Sequence, residues 1–334
     1  MPKSFYQLTE RSQVLRLRQM ATKALEQYDL SVARLRLITN EMNAIFGVKT
    51  IDGNKYILRI TLPGGGHTQQ HVQAEMDWLA ALSRDTELSV PQPLPTRDGR
   101  LVVEVACNGI PERRMCVIFT WVPGSDLAQH LDEANMSKLG RLSAQLHAHA
   151  ATFNPPPGFD ILRFDKVFPF PEPVVLFEDA LKLLFPPERV EIYQQAIDWA
   201  QDAIQRLFAS GEPMRVIHND LHMDNVRIHR GVLSPIDFED LMWGWPVQDI
   251  AITLYYFYPL ENYPELRLAF QKGYTSISPW PERYPGEIDA FIAARGVGLV
   301  NFALQDPHTL QTFDSAGYAV KIEGRLRALL ENRR

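Results

Sequence analysis

Only two cysteines, Cys107 and Cys116, occur in 334 residues. That excludes a disulfide framework and a zinc site built from four cysteines, and is expected of reduced thiols in a cytoplasmic protein. Long apolar runs are also missing. The most apolar stretch, Ile250 to Leu260, is rich in tyrosine and far too short to cross the roughly 30 Å hydrocarbon layer of a bilayer. The polar opening stretch, Met1 to Met20, lacks the short apolar core of a secretory signal, so it is expected to belong to the working domain. No run of Lys or Arg stands out, and the formal charge is −6, so neither nucleic acid nor an anionic membrane is an expected partner. Gly64-Gly65-Gly66 is not followed by the Gly-Lys-Ser/Thr of a phosphate loop and reads as a connector.

What is present suits two lobes. Apolar residues make up 46% of the chain, enough to bury a sizeable core. Val14, Leu17, Ala21 and Leu25 recur at helical spacing, predicting an amphipathic helix near the start. Strand-like patterns follow at Arg34 to Thr39, Asn43 to Thr50 and Lys55 to Ile60, the last two joined through the turn signal Asp52-Gly53. A helix is expected from Gln70 to Ser83, with Val72, Glu75, Met76 and Leu79 on one face. Leu101 to Val105 and Met115 to Phe119 predict a second hairpin, and Pro123-Gly124 marks a boundary. The remainder reads as helices interrupted by a proline-rich passage, Asn154 to Pro187, that predicts irregular structure. The expected fold is therefore α+β: an N-lobe, residues 1–121, built on an antiparallel sheet, and a mainly helical C-lobe, residues 122–334.

The chemistry concentrates in Ile217-His218-Asn219-Asp220-Leu221-His222-Met223-Asp224-Asn225 and in Ser234-Pro235-Ile236-Asp237-Phe238-Glu239-Asp240. A turn centred on Gly231 joins two short strands and would bring Asn225 opposite Asp237, two oxygen ligands for one hard cation such as Mg²⁺. Asp220 lies in the preceding loop. Phosphoryl transfer needs a metal to neutralise phosphate charge and a carboxylate to orient the incoming hydroxyl, and this stretch carries both.

Asp220 and Asn225 match the kinase catalytic-loop spacing D-x-x-x-x-N, and Asp237-Phe238 matches the start of the D-F-G element. In its His-x-Asp-x-His-x-x-Asn form the stretch resembles the aminoglycoside phosphotransferase family, which includes choline kinases and bacterial homoserine kinases. The resemblance runs from about Thr39 to Asp249 and implies a protein-kinase-like bilobal fold and an ATP- or GTP-dependent phosphotransferase. It implies Asp220 as the catalytic carboxylate, and Asn225 and Asp237 as the Mg²⁺ ligands. Arg59 stands where the family has its phosphate-binding cation, with Glu75 as its helix partner, and Thr120 and Val122 stand at the hinge that meets adenine. Asp249 corresponds to an aspartate that props the catalytic loop. The sequence departs from the family in carrying Asn219 where glycine is usual, Arg59 where lysine is common, and the polar turn Thr39 to Asn43 in place of a glycine-rich loop.

His222 stands where protein kinases have lysine, which favours a small-molecule hydroxyl acceptor over a protein Ser/Thr kinase or a silent nucleotide-binding scaffold. Between Asp220 and Ile250 six carboxylates face two arginines. The leftover Glu239 and Asp240 suit a positively charged acceptor. The histidine pairs His67/His71 and His147/His149 read as solvated or locally hydrogen-bonded side chains, and Trp243, Trp245, Tyr255, Tyr256 and Tyr258 as core aromatics or, in part, an acceptor pocket.

Overall fold

The computed structural model describes residues 4–62, 68–305 and 317–333; Gly64-Gly65-Gly66 and His67 lie outside them. The chain forms two compact units, the first made of Met1–Gly124 with Asn154–Asp160 and Ser234–Glu239, the second of Ser125–Phe153, Ile161–Leu233 and Asp240–Arg334. Each unit thus takes in segments from distant parts of the sequence.

In the first unit, strands β1 (Val32–Asn40), β2 (Asn43–Thr50), β3 (Lys55–Thr61), β4 (Val103–Val105) and β5 (Arg114–Thr120) make an antiparallel sheet in the order β1-β2-β3-β5-β4. Gly53, at φ 92°, lets β2 turn tightly into β3. Helix α1 (Glu10–Leu25), capped by the Thr9 side chain, buries Leu17, Met20, Ala21, Ala24 and Leu25 against Phe46, Val48, Leu58, Ile60 and Ile118 of the sheet. Because strand side chains alternate, Leu58 and Ile60 fill this core while Arg59 points to the opposite face. There it meets α2 (Gln69–Asp85), whose Val72, Glu75, Met76 and Leu79 are all buried. Cys107 and Cys116 are both buried free thiols.

The second unit is built on helices. Helices α3 (Glu133–Thr152) and α6 (Tyr263–Thr275) cross at two glycines: a Cβ on Gly140 would lie 1.9 Å from the Phe270 carbonyl oxygen, and one on Gly273 1.7 Å from that of Ser137. Only glycine permits that approach. Helices α4 (Pro187–Ser210) and α7 (Glu287–Ala303) pack together, and α7 also packs on α5 (Pro246–Tyr255), in which every residue is buried. Up to Pro186 the proline-rich passage carries no α-helix or strand, yet it is tied down, since the Asn301 side chain of α7 accepts from the Val175 N–H at 2.8 Å and donates to the Pro173 carbonyl at 3.0 Å.

Two short antiparallel ribbons frame the loops of this unit. Strand β7 (Arg215–Ile217) pairs with β10 (Met242–Gly244), and β6 (Ser125–Asp126) pairs with β8 (Val226–His229). From β8 the chain turns at Arg230 and Gly231, with φ of 50° and 79°, into β9 (Val232–Pro235). Two successive left-handed residues are the signature of a tight hairpin turn.

Candidate active site

In the first unit, Arg59 and Glu75 form a buried two-pronged ion pair: Nη1 donates to Oε1 at 2.9 Å and Nη2 to Oε2. Glu239 adds a second carboxylate, 3.5 Å from Arg59 Nη1. Burial opposes the charged guanidinium, but Glu75 and Glu239 more than offset it and hold Arg59 firmly protonated. The stretch that follows Asp237 is docked on the same elements. Phe238 packs edge-to-face on Trp78 of α2 with ring centroids 5.5 Å apart, and the Glu239 carbonyl lies 2.8 Å from His71 Nε2. The Glu239 carboxylate accepts from the Asn43 side chain at 2.6 Å.

Two expectations are corrected here. Glu239 is not a spare carboxylate beside the acceptor; it is engaged by Asn43 and Arg59. His71 is buried rather than solvated, its imidazole lies against the distant Glu239 carbonyl, and burial pushes its pKa down. At the hinge, the Thr120 N–H donates to the Gln92 carbonyl at 2.9 Å and the Trp121 N–H to that of Lys55 at 3.1 Å. Val122 has no such backbone bond among the described residues.

The second unit builds the loop around Asp220 from β7 on one side and α5 on the other. Asp249 of α5 accepts the backbone N–H groups of Asn219 at 2.7 Å and His218 at 3.3 Å, and lies 2.8 Å from His147 Nε2. His147 is in turn 3.0 Å from the Tyr274 hydroxyl, so α3 and α6 brace the loop through one imidazole. This also corrects the reading of His147 as a solvated or locally bonded side chain. Burial works to raise the Asp249 pKa, but its bond with His147, the charges of His147 and His218 and the Asn219 N–H prevail and hold it below the usual carboxylate range.

Asn219, at φ 64°, explains why glycine is usual at its position, and asparagine is among the few other residues that tolerate this backbone region. The residue is 1% exposed, and among the described residues its amide nitrogen and oxygen have no hydrogen-bond partner.

Every oxygen of the Asp220 carboxylate is in use. On Oδ1 lie Arg295 Nη2 and, at 3.5 Å, the Tyr256 hydroxyl; on Oδ2 lie Asn225 Nδ2 at 2.9 Å and His222 Nε2 at 3.5 Å. Asn225 Nδ2 also reaches the Asp220 carbonyl at 3.0 Å. Burial alone would raise the Asp220 pKa, but the His222 bond and the charges of Arg295, His222 and His218 keep it below the ordinary carboxylate value. Arg295 Nη2 lies 2.7 Å from the Tyr256 hydroxyl, whose pKa burial pushes up to about 12. The His222 and Tyr256 rings pack with centroids 4.6 Å apart.

Arg295 and Tyr256 were not singled out as partners of Asp220. A signal for Arg295 did exist: it is the one charged residue in the apolar run Phe291 to Val300, and a cation in the middle of a buried helix requires a carboxylate.

The antiparallel sheet with its buried Arg–Glu pair, and the helical unit carrying the braced Asp220 loop, define a protein-kinase-like fold of α+β class. A family model described as the phosphotransferase enzyme family matches residues 41–286, and the chain belongs to that family. It is a phosphotransferase of the small-molecule kinase type, moving the terminal phosphate of ATP to a hydroxyl group. Among similar proteins is amicoumacin kinase of Bacillus subtilis (strain 168), 27% identical over 277 residues, a match covering 77% of this chain and 75% of that one. Among solved structures, an amicoumacin kinase in complex with AMP-PNP, Ca²⁺ and Ami superposes with a TM-score of 0.74 at 21% identity, covering 95% of this chain and 96% of that one. A microcompartment-associated aminopropanol kinase gives 0.72 at 22% identity, with 93% and 94% covered. Among the described residues no helix is long and apolar enough to cross a membrane.

Proposed function

We propose that Asp220 is the catalytic carboxylate of an ATP-dependent kinase whose acceptor is a small hydroxyl compound carrying an amine. The observation that supports this best is the state of Asp220, an ionised carboxylate fixed by Asn225 and His222 in a loop braced from α5. Held below its ordinary pKa, it is a modest base. Its contribution is to orient the hydroxyl and to take the proton as the phosphoryl group arrives and the hydroxyl becomes more acidic.

Arg59, kept charged by Glu75 and Glu239, is suited to a phosphate oxygen, and the two-pronged pair fixes its direction. With the Thr120 N–H committed to Gln92, Val122 is the hinge residue better placed to meet adenine. Asn225 and Asp237 are the proposed metal ligands. The fit rests on Asn225: because its Nδ2 faces two oxygens of Asp220, its Oδ1 is the end turned away, an oxygen donor of the kind a hard cation takes. Mg²⁺ held there and by Asp237 would neutralise phosphate charge. The amine in the acceptor is proposed from the name of the aminopropanol kinase relative, since Glu239 is already engaged by Asn43 and Arg59.

Transfer of label from ATP to a panel of hydroxyl-bearing amines, amino sugars and amino acids, with GTP as competitor, tests this reading. Acceptor-dependent transfer that is lost in Asp220→Asn is the expected result; transfer undiminished by that substitution would overturn it.

A further inference from the structure

We propose that Arg295, together with the Tyr256 hydroxyl, reads a carboxylate on the acceptor, so that the substrate is a hydroxy amino acid rather than a simple amino alcohol. This rests on Asp220 receiving the acceptor hydroxyl, as argued above. Asp220 has no idle oxygen to offer. The Asn225 contact also reaches the Asp220 carbonyl and belongs to the loop itself, so Oδ2 is bound into the scaffold. Oδ1 is the oxygen the acceptor must reach, and Arg295 and Tyr256 hold it.

Arg295 therefore has to yield part of its hold when the acceptor arrives. Among the described residues Asp220 is the only carboxylate in ion-pair contact with it, and its Nε is buried with no hydrogen-bond partner. A guanidinium drawn from the one carboxylate in contact with it, in a mostly buried site, is left with only the charge of the more distant Asp240 and favours another anion at its fork. An acceptor that brings its own carboxylate supplies one, and the planar fork of arginine matches a carboxylate in two-pronged fashion. A neutral or purely cationic acceptor supplies none. A phosphate dianion would bring two negative charges beside the ionised Asp220 where a carboxylate brings one, so a carboxylate is the better match. The Tyr256 hydroxyl, already 2.7 Å from Arg295 Nη2, keeps its proton and can donate to either carboxylate.

The test uses pairs of acceptors that differ only in the carboxylate: serine against ethanolamine, threonine against aminopropanol, homoserine against propanolamine. With the full chain, ATP and Mg²⁺, at least one acid is expected to be phosphorylated with higher kcat/KM than its amine counterpart. Arg295→Gln is expected to raise the KM for the acid by roughly 30-fold or more, the loss that follows removal of one partner of a buried charge pair. The KM for ATP should hardly move, the acid-to-amine ratio of kcat/KM should collapse, and Arg295→Lys should restore part of the preference. Thermal shifts without nucleotide give a second readout that does not depend on turnover: stabilisation by the acids, absent in Arg295→Gln and partly kept in Arg295→Lys, supports the carboxylate site even where transfer fails and the kinase reading falls with it. Equal or better use of the amines, with no effect of Arg295→Gln on the ratio, overturns the carboxylate site and leaves the kinase reading standing. No acid preference in turnover and no acid-induced shift also overturns it.

Discussion

Asp249 accepts the backbone N–H of Asn219 at 2.7 Å and so fixes the turn from which Asp220 projects. One carboxylate on α5 serves two backbone donors and His147, all of them buried. Asp249→Asn keeps the shape but replaces an acceptor-only group with one that also donates, so at least one of these donors loses its partner. Stability is expected to fall by about 1–3 kcal/mol, and turnover to fall more than nucleotide affinity. The pH dependence has a definite sign. The folded-state pKa of Asp249 is depressed, so its contribution is fully present above the unfolded value of about 3.9 and is lost as pH falls through the folded value. The Tm advantage of the wild type over Asp249→Asn should be flat near neutrality and shrink below about pH 4; an advantage that persists unchanged in acid would contradict the assignment.

Asn219 presents a different balance. Its backbone needs φ near 64° while its buried amide has no partner among the described residues. Asn219→Gly meets the backbone requirement and removes the orphaned amide, at some cost in unfolded-chain entropy. Asn219→Ala also removes the amide but is strained by about 1–2 kcal/mol in this backbone region. The expected order of Tm is Gly at or above wild type, with Ala below both. Finding alanine as stable as glycine would show that the left-handed turn is not what selects the residue.

The crossing of α3 and α6 makes a purely steric prediction. Gly273→Ala places a methyl group 1.7 Å from the Ser137 carbonyl oxygen, so the helices must separate. The loss should be about 1–3 kcal/mol or more. Because α3 carries His147, loop bracing should suffer too, with turnover reduced beyond what the unfolded fraction accounts for. Gly298→Ala, on α7 with open space at its Cβ, is the control and should change little.

Much of this site was legible because it follows local rules. Alternation along β3 puts Leu58 and Ile60 on one face and Arg59 on the other, and helical spacing puts Glu75 on the buried face of α2; together these called for the ion pair that is present. The spacing of Asp220 and Asn225 likewise pointed to one loop. What escaped were pairings between distant segments, which no period encodes. Asp220 and Arg295 are 75 residues apart, and Asn43 and Glu239 are 196 apart. Glu239 was misread for that reason: its position near Asp237 suggested the acceptor, while its partners lie on β2 and β3.

The Arg59–Glu75 pair can be broken from either side with unequal results. Glu75→Ala strips one carboxylate but leaves Glu239 at 3.5 Å, so Arg59 stays charged and its direction is lost. Removing one partner of a buried pair costs about 3–5 kcal/mol, and Glu239 should hold the loss to the lower end. Arg59→Ala leaves two carboxylates facing each other without a cation and should be the more damaging to both Tm and nucleotide affinity. Thermal melts with and without ATP measure both, and an unaltered ATP-induced shift in Arg59→Ala would remove the phosphate role.

Asp220 and Asp237 can be told apart by what each substitution spares. Asp220→Asn keeps the shape of the side chain and removes its charge, so Arg295 loses its counter-ion while the proposed metal ligands Asn225 and Asp237 remain. Nucleotide affinity should stay within a few-fold of wild type while turnover falls by roughly 10²- to 10⁴-fold, the scale of a lost acid–base group. Asp237→Ala removes a proposed metal ligand from the segment that Phe238 and Glu239 anchor on α2 and β3. Mg²⁺-dependent nucleotide affinity and turnover should then fall together, with nucleotide binding in the absence of metal little changed. Calorimetric titration of ATP with and without Mg²⁺ separates the two cases. Equal loss of Mg²⁺-dependent binding in both variants would move Asp220 into the metal site and leave the orientation of the acceptor hydroxyl to another group.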